Sequence, residues 1–202
     1  MSEAAGLRVR PMTGADLGAV TDIFALSFPD KLAGMLPGRG PESARLLAHA
    51  ALRSGDAWVT GDEVVDGLVT FQDRSRRWYR HVEWRLVRRY VPLAAALRAA
   101  LFLAAFHATR FPADELYLET VAVHPRARGR GVGGALLRFA EDEARRRGRG
   151  SVSLYCICAN TRAHALYRRL GYEDVRREDL WWCARVLGFR YTDQMRKRLP
   201  AG

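Results

Sequence analysis

The stretch Arg126-Ala127-Arg128-Gly129-Arg130-Gly131-Val132-Gly133-Gly134 constrains this chain more than any other. It follows a strand-like run, Leu116–Val123, and opens a helix-like run, Val132–Arg147. The first-turn amides of a helix have no partner within it, and the helix dipole there favours negative charge. Glycines let an anion come close to the backbone. Arginines at 126, 128 and 130 supply mobile positive charge beside it. A strand, a glycine-arginine turn and a helix in this order predict a site for a phosphate or pyrophosphate.

The pattern also narrows which phosphate ligand is expected. The lysine and hydroxyl that end a P-loop are missing, which argues against a nucleoside triphosphate cradle. Gly129, Gly131 and Gly134 satisfy G-x-G-x-x-G, but that fingerprint wants an acidic residue about 20 positions on. The corresponding region, Tyr155-Cys156-Ile157-Cys158-Ala159-Asn160, has no carboxylate. A five-residue loop, His124–Arg128, also separates the strand from the first glycine. A dinucleotide cofactor is therefore not expected.

Around this unit the chain reads as one α/β sandwich domain spanning 7–200. Leu7–Arg10 is a first strand and Thr13–Ser27 a helix capped by Thr13, with Leu17, Val20, Ile23 and Phe24 at helical spacing. Pro29–Pro41 is loop-like and Glu42–Arg53 a second helix. Ala57–Thr60 and Val64–Gln72 form a hairpin around Gly61–Asp62. Arg74–Arg89 is basic, with Trp78, Tyr79 and Trp84 interleaved. Pro92–Thr109 is a long apolar helix that suits core or subunit packing or a pocket wall. Ser151–Cys158 is a strand and Asn160–Leu170 a helix. Tyr172–Arg176 and Tyr191–Arg198 close the chain as strands, with a Trp-rich segment between them.

The 202 residues, 49% apolar and 27% charged, suffice for one sizeable core. Leu93–Ala108 is too short for a bilayer span and carries Arg98. Met1–Leu7 lacks the apolar stretch of a secretory signal, so the expected location is the cytoplasm and no membrane partner is expected. Three cysteines make no disulfide framework, and the histidines show no ligand spacing, so no metal is expected. The net charge of +11 favours anionic partners. Arg145-Arg146-Arg147 is explained without nucleic acid. Glu141, Asp142 and Glu143 precede these arginines by four residues, giving three i,i+4 pairs at a solvated helix end.

Two motifs carry a resemblance to a known family. Arg128-Gly129-Arg130-Gly131-Val132-Gly133 is similar to the Gln/Arg-x-x-Gly-x-Gly/Ala element of the GNAT superfamily of N-acetyltransferases. Leu118–Pro125 resembles that family's fourth strand and the turn after it. Asn160-Thr161-Arg162-Ala163-His164-Ala165-Leu166-Tyr167-Arg168-Arg169-Leu170-Gly171-Tyr172 resembles its Asn-x-x-Ala-x-x-Leu-Tyr-x-x-x-Gly-Phe/Tyr motif. The good match covers Glu115–Tyr172.

The resemblance implies a mixed, mostly antiparallel central sheet flanked by helices, with the fourth and fifth strands splayed at the cofactor site. It implies an acyltransferase that moves an acetyl group from acetyl-CoA to a primary amine of a small molecule or peptide, with a homodimer possible. The other reading is a GNAT-like module that binds acyl-CoA without turnover. The pyrophosphate would lie on the amides of Arg128, Gly129, Arg130, Gly131, Val132, Gly133 and Gly134. The pantetheine arm would run beside Val121, Ala122 and Val123, with Asn160 and Ala163 opposite. Nucleic acid is not expected as the main partner.

The reaction needs a neutral amine, and neutralising a lysine-like amine at pH 7 costs about 4.6 kcal/mol. Glu119 is the candidate base that offsets part of this cost. By strand alternation it should face the same way as Val121 and Val123. It reads equally as an exposed or salt-bridged glutamate. The family motif makes Tyr167 the candidate acid for the leaving thiolate, although Ala163, Leu166, Tyr167 and Leu170 also form an apolar stripe.

Overall fold

The computed structural model describes residues 7–29, 32, 40–54, 56–61, 64–72, 112–181, 184 and 188–200. The expected basic stretch Arg74–Arg89 and the helix Pro92–Thr109 lie outside these residues. Seven strands form one sheet: β1 (Val9–Pro11), β2 (Ala57–Thr60), β3 (Gly67–Gln72), β4 (Glu115–Val123), β5 (Ser151–Ile157), β6 (Glu173–Asp179) and β7 (Tyr191–Arg198). Their order is β1-β2-β3-β4-β5-β7-β6. Every neighbouring pair is antiparallel except β4 and β5, which run parallel.

Helices α1 (Leu17–Ser27) and α2 (Gly40–Ser54) cover part of one face. There Val20, Ile23, Phe24, Ala44, Leu47, Ala48 and Ala51 pack with Leu68 and Ala122. Helices α3 (Val132–Arg146) and α4 (Thr161–Arg169) cover the other face. Leu136, Leu137, Ala140 and Tyr167 meet Val69, Leu116, Leu118, Val152, Leu154 and Met195 there. A Cβ on Gly67 would come within 2.8 Å of Val132 Cγ1, so glycine lets the first turn of α3 lie directly on β3.

The first helix begins later than its apolar spacing predicts, because Gly14–Asp16 form a tighter 3₁₀ turn. The Asp16 carboxylate accepts from the Thr13 amide at 2.7 Å and from both Arg10 Nη atoms at 2.8 Å. The Arg10 guanidinium holds the Asp16 carboxyl down at about 2, against an ordinary 3.8. A depressed carboxyl stabilises the fold above its unfolded value, and that stability fades as pH falls from about 4 towards 2. Arg10 is 22% exposed, so solvent screening leaves about 1 kcal/mol of this. Arg10→Met should lose about that much at pH 7 and flatten the acid limb of a urea-denaturation series below pH 4.

The C-terminal end of α3 is less solvated than its sequence predicts. Arg145 pairs with Asp142 and Arg146 with Glu143, both at i,i+3. Only Glu143–Arg147, at 2.6 Å, keeps the i,i+4 spacing. Glu141 turns instead to Lys197 Nζ of β7 at 2.7 Å. Both Glu141 and Glu143 are buried, because this end of α3 packs under the sheet rather than fraying into water. At the other boundaries, β6 starts at Glu173 because Tyr172 is drawn into the core. Residues Val64–Asp66 form a turn before β3, with Asp66 N–H donating to Thr60 O.

Candidate active site

Two features of β4 shape the site. The ladder to β5 runs from Glu115–Ser151 to Leu118–Leu154 and then stops, so the two strands part beyond Leu118. On the other side, β4 stays paired with β3 as far as Val123–Gly67. His124 N–H donates to Asp66 O, so in the alternating antiparallel ladder Ala122 and Thr120 also bond towards β3. The amides and carbonyls of Val121 and Val123 therefore point into the gap left by β5. They can pair with an extended, amide-bearing ligand as a further strand would.

The register slips between Thr70–Thr120 and Phe71–Leu118, so Glu119 is the extra residue of a β-bulge. The bulge breaks the alternation: Leu118 and Val121, three apart, both pack into the α3 side of the core. Glu119 acts electrostatically on Tyr117 and does not share the face of Val121 and Val123. The sequence expectation that all three face the same way is corrected here, because strict alternation assumes an unbroken ladder.

The gap opens onto the N-terminus of α3. Gly131 is its cap, with φ at +82°, and Gly129 has φ at +83°. The first bond of the helix runs from Ala135 N–H to Gly131 O. The amides of Val132, Gly133 and Gly134 precede that bond and face the gap. Arg128 spans the corner, its Nε donating to Val123 O at 3.3 Å. Arg126 is not available as expected, because it bonds Asp66 Oδ1 and Val65 O.

Helix α4 forms the opposite wall. Asn160 caps it, its Oδ1 accepting from Ala163 N–H at 3.1 Å. Together these elements enclose a cleft of about 730 Å³ lined by Val121, Ala122, Val123, Arg128, Gly129, Gly131, Val132, Gly133, Gly134, Asn160, Ala163 and Tyr167. Arg130 and Glu119 are absent from that wall; Arg130 points outward and is exposed.

Residues 75–172 match the model of the acetyltransferase (GNAT) family. Over that stretch, just under half of its length, the chain resembles the GNAT family. Over 151 residues it is 31% identical to a mycothiol acetyltransferase of Thermobispora bispora, covering 65% of this chain and 47% of that protein. Over 73 residues it is 33% identical to a thialysine N-epsilon-acetyltransferase of Bos taurus, covering 36% and 43%. The chain thus spans less than half the length of these curated relatives. The fold resembles an N-acetyltransferase from Staphylococcus aureus Mu50 at TM-score 0.65 and 17% identity, over 94% of this chain and all of that one. It also resembles a Salmonella typhimurium acetyltransferase solved with acetyl-CoA, at TM-score 0.58 and 19% identity, over 97% and 95%.

Both GNAT motifs of this chain lie on the cleft, and several residues outside the sequence reading join them. Leu26, Ser27 and Phe28 at the end of α1 form a third wall. Phe28 opens the segment Phe28–Leu52 that the sequence offers for acceptor contacts, whereas Leu26 and Ser27 lie about a hundred positions from the motifs and nothing local marks them. Arg162 and Arg169 of α4 add positive charge, with Arg162 Nη2 3.8 Å from where a Cβ on Gly129 would stand. Their arginine character beside a phosphate motif was the available signal.

The Tyr167 hydroxyl on the cleft wall and the Cys156 thiol behind it are both held in their protonated forms. Burial, with a smaller effect from Cys156, pushes the Tyr167 hydroxyl far above its ordinary range. Burial pushes the Cys156 thiol up to about 12, so it is a poor nucleophile at neutral pH. No helix among the described residues is long and apolar enough to cross a membrane.

Proposed function

We propose that this chain is an N-acetyltransferase that moves the acetyl group of acetyl-CoA to a primary amine of a small molecule or peptide. The observation that carries this reading is the meeting of two features: backbone groups of Val121 and Val123 turned into the β4/β5 gap, and the open amides of α3 at the end of that gap. One suits the amide-bearing pantetheine arm and the other the diphosphate. The related Salmonella fold with acetyl-CoA bound supports the same assignment. Residues 7–200 are read as one domain, because a single sheet carries strands from Val9 to Arg198.

Acetyl-CoA supplies the acetyl group as a thioester. The amine nitrogen forms a bond to the carbonyl carbon, the carbon–sulfur bond breaks, and the electron pair leaves on sulfur. The amine proton passes to water, and Glu119, off the cleft wall at the bulge, is the carboxylate proposed to receive it through that water. Tyr167 stays protonated and donates a hydrogen bond to the departing sulfur. Its raised proton affinity makes full transfer to a thiolate unfavourable, so its contribution is electrostatic.

A hydrogen bond to a charged group contributes about 1.5–3 kcal/mol. Tyr167→Phe should therefore lower kcat by about 10- to 100-fold, with acetyl-CoA affinity changed less than threefold. Equal loss of both would remove the acid role.

The whole reading is tested by following CoA release across a panel of amines beside acetyl-CoA calorimetry. Turnover of one or more amines is expected. Tight binding with no turnover on any amine would favour a non-catalytic acyl-CoA module, and absence of binding would end the assignment.

A further inference from the structure

Away from the cleft wall, α4, β6 and β7 bring His164, Asp174 and Asp193 together. Each offers one ligand atom, and these atoms all lie within 4.8 Å of one another. His164 is only 7% exposed, and neither of its ring nitrogens makes a hydrogen bond. A buried imidazole with both nitrogens unpartnered is costly unless something else occupies it.

The spacing suggests what that is. His164 Nε2 stands 3.6 Å from Asp193 Oδ2, and Nδ1 stands 3.9 Å from Asp174 Oδ1. Both separations exceed hydrogen-bond distance. Two ligands of one tetrahedral zinc, each at about 2.0–2.1 Å, stand about 3.3 Å apart. Only one ring nitrogen can face a given ion, and with the three ligand atoms within 4.8 Å of one another the site would close by roughly an ångström to bring all three residues onto it.

We propose that His164, Asp174 and Asp193 form a binding site for a divalent cation of the zinc type, bridging α4 to the β6–β7 pair. One imidazole and two carboxylates are a donor set that suits zinc. Arg177 holds Asp193 at 2.8 and 3.1 Å, and Arg168 holds Asp174. A carboxylate offers about four lone-pair sites, so each can serve an arginine and a cation together. Because α4 also carries Asn160 and Tyr167, the ion would fix the helix that forms one wall of the cleft.

The test is calorimetric titration of zinc chloride into the EDTA-stripped full chain, with and without Asp174→Asn. That side chain is 40% exposed, so the variant should keep its fold, as checked by circular dichroism. One zinc per chain is expected, with affinity at least tenfold weaker in the variant. The melting temperature of the wild type should rise with zinc, and that of the variant should rise less. No saturable binding by the wild type, or a loss smaller than tenfold in Asp174→Asn, would overturn the site.

Discussion

Gly131→Glu is expected to weaken acetyl-CoA binding by at least about a thousandfold while leaving the protein folded. A Cβ at this position meets nothing within 4 Å, so the new side chain has room in the unliganded molecule. Its φ of +82° is the left-handed region, which costs a non-glycine residue roughly 1–2 kcal/mol. That strain is too small to unfold a domain of ordinary stability. The carboxylate, however, would stand at the open amides of Val132, Gly133 and Gly134 and satisfy them itself. It would also place a negative charge where the diphosphate must come. Gly131→Ala separates the two effects, since it carries the backbone strain without the charge and should lose less than tenfold. Calorimetry reads both variants, and near-equal affinities for alanine, glutamate and wild type would refute the placement of the diphosphate.

Arg147→Ala is expected to cost about 3 kcal/mol of stability, the largest effect of a single substitution outside the cleft. Its guanidinium donates to Asp56 Oδ1 at 2.8 Å and to Glu143 Oε1 at 2.6 Å, and it lies 5.4 Å from the centre of the Phe71 ring. Both carboxylates are nearly buried. Removing one partner of a buried ion cluster typically costs 3–5 kcal/mol, because the charge left behind has lost its hydration. Arg146 still pairs with Glu143, which places the estimate at the lower end. Urea denaturation at pH 7 measures this directly. A loss below 1 kcal/mol would mean that these carboxylates are adequately served by other partners.

The fold was most legible where the chain's own periodicity meets a single buried face. β7 has the predicted bounds, α3 ends one residue early, and β4 and β5 differ by one residue each. Boundaries moved where a side chain found a distant partner, as when Asp16 turned to Arg10 and Tyr172 entered the core. The charges at the end of α3 show the same thing. Sequence spacing alone assigns Glu141 to Arg145, but β7 brings Lys197 alongside, and the glutamate pairs with it.

By itself, the sequence determined the phosphate-type turn, the helix it opens and the asparagine-to-tyrosine helix that faces it. Each is a local pattern whose physics lies within a dozen residues: unpaired first-turn amides, a side-chain cap, an apolar stripe. Only the tertiary structure decided the bulge that turns Glu119 away from Val121 and Val123, and the part that Leu26 and Ser27 take in the third wall. It also decided the convergence of His164, Asp174 and Asp193. These depend on strand register and on chain closure across tens of residues. A one-residue slip in pairing reverses which side chains meet, and no local propensity records that slip.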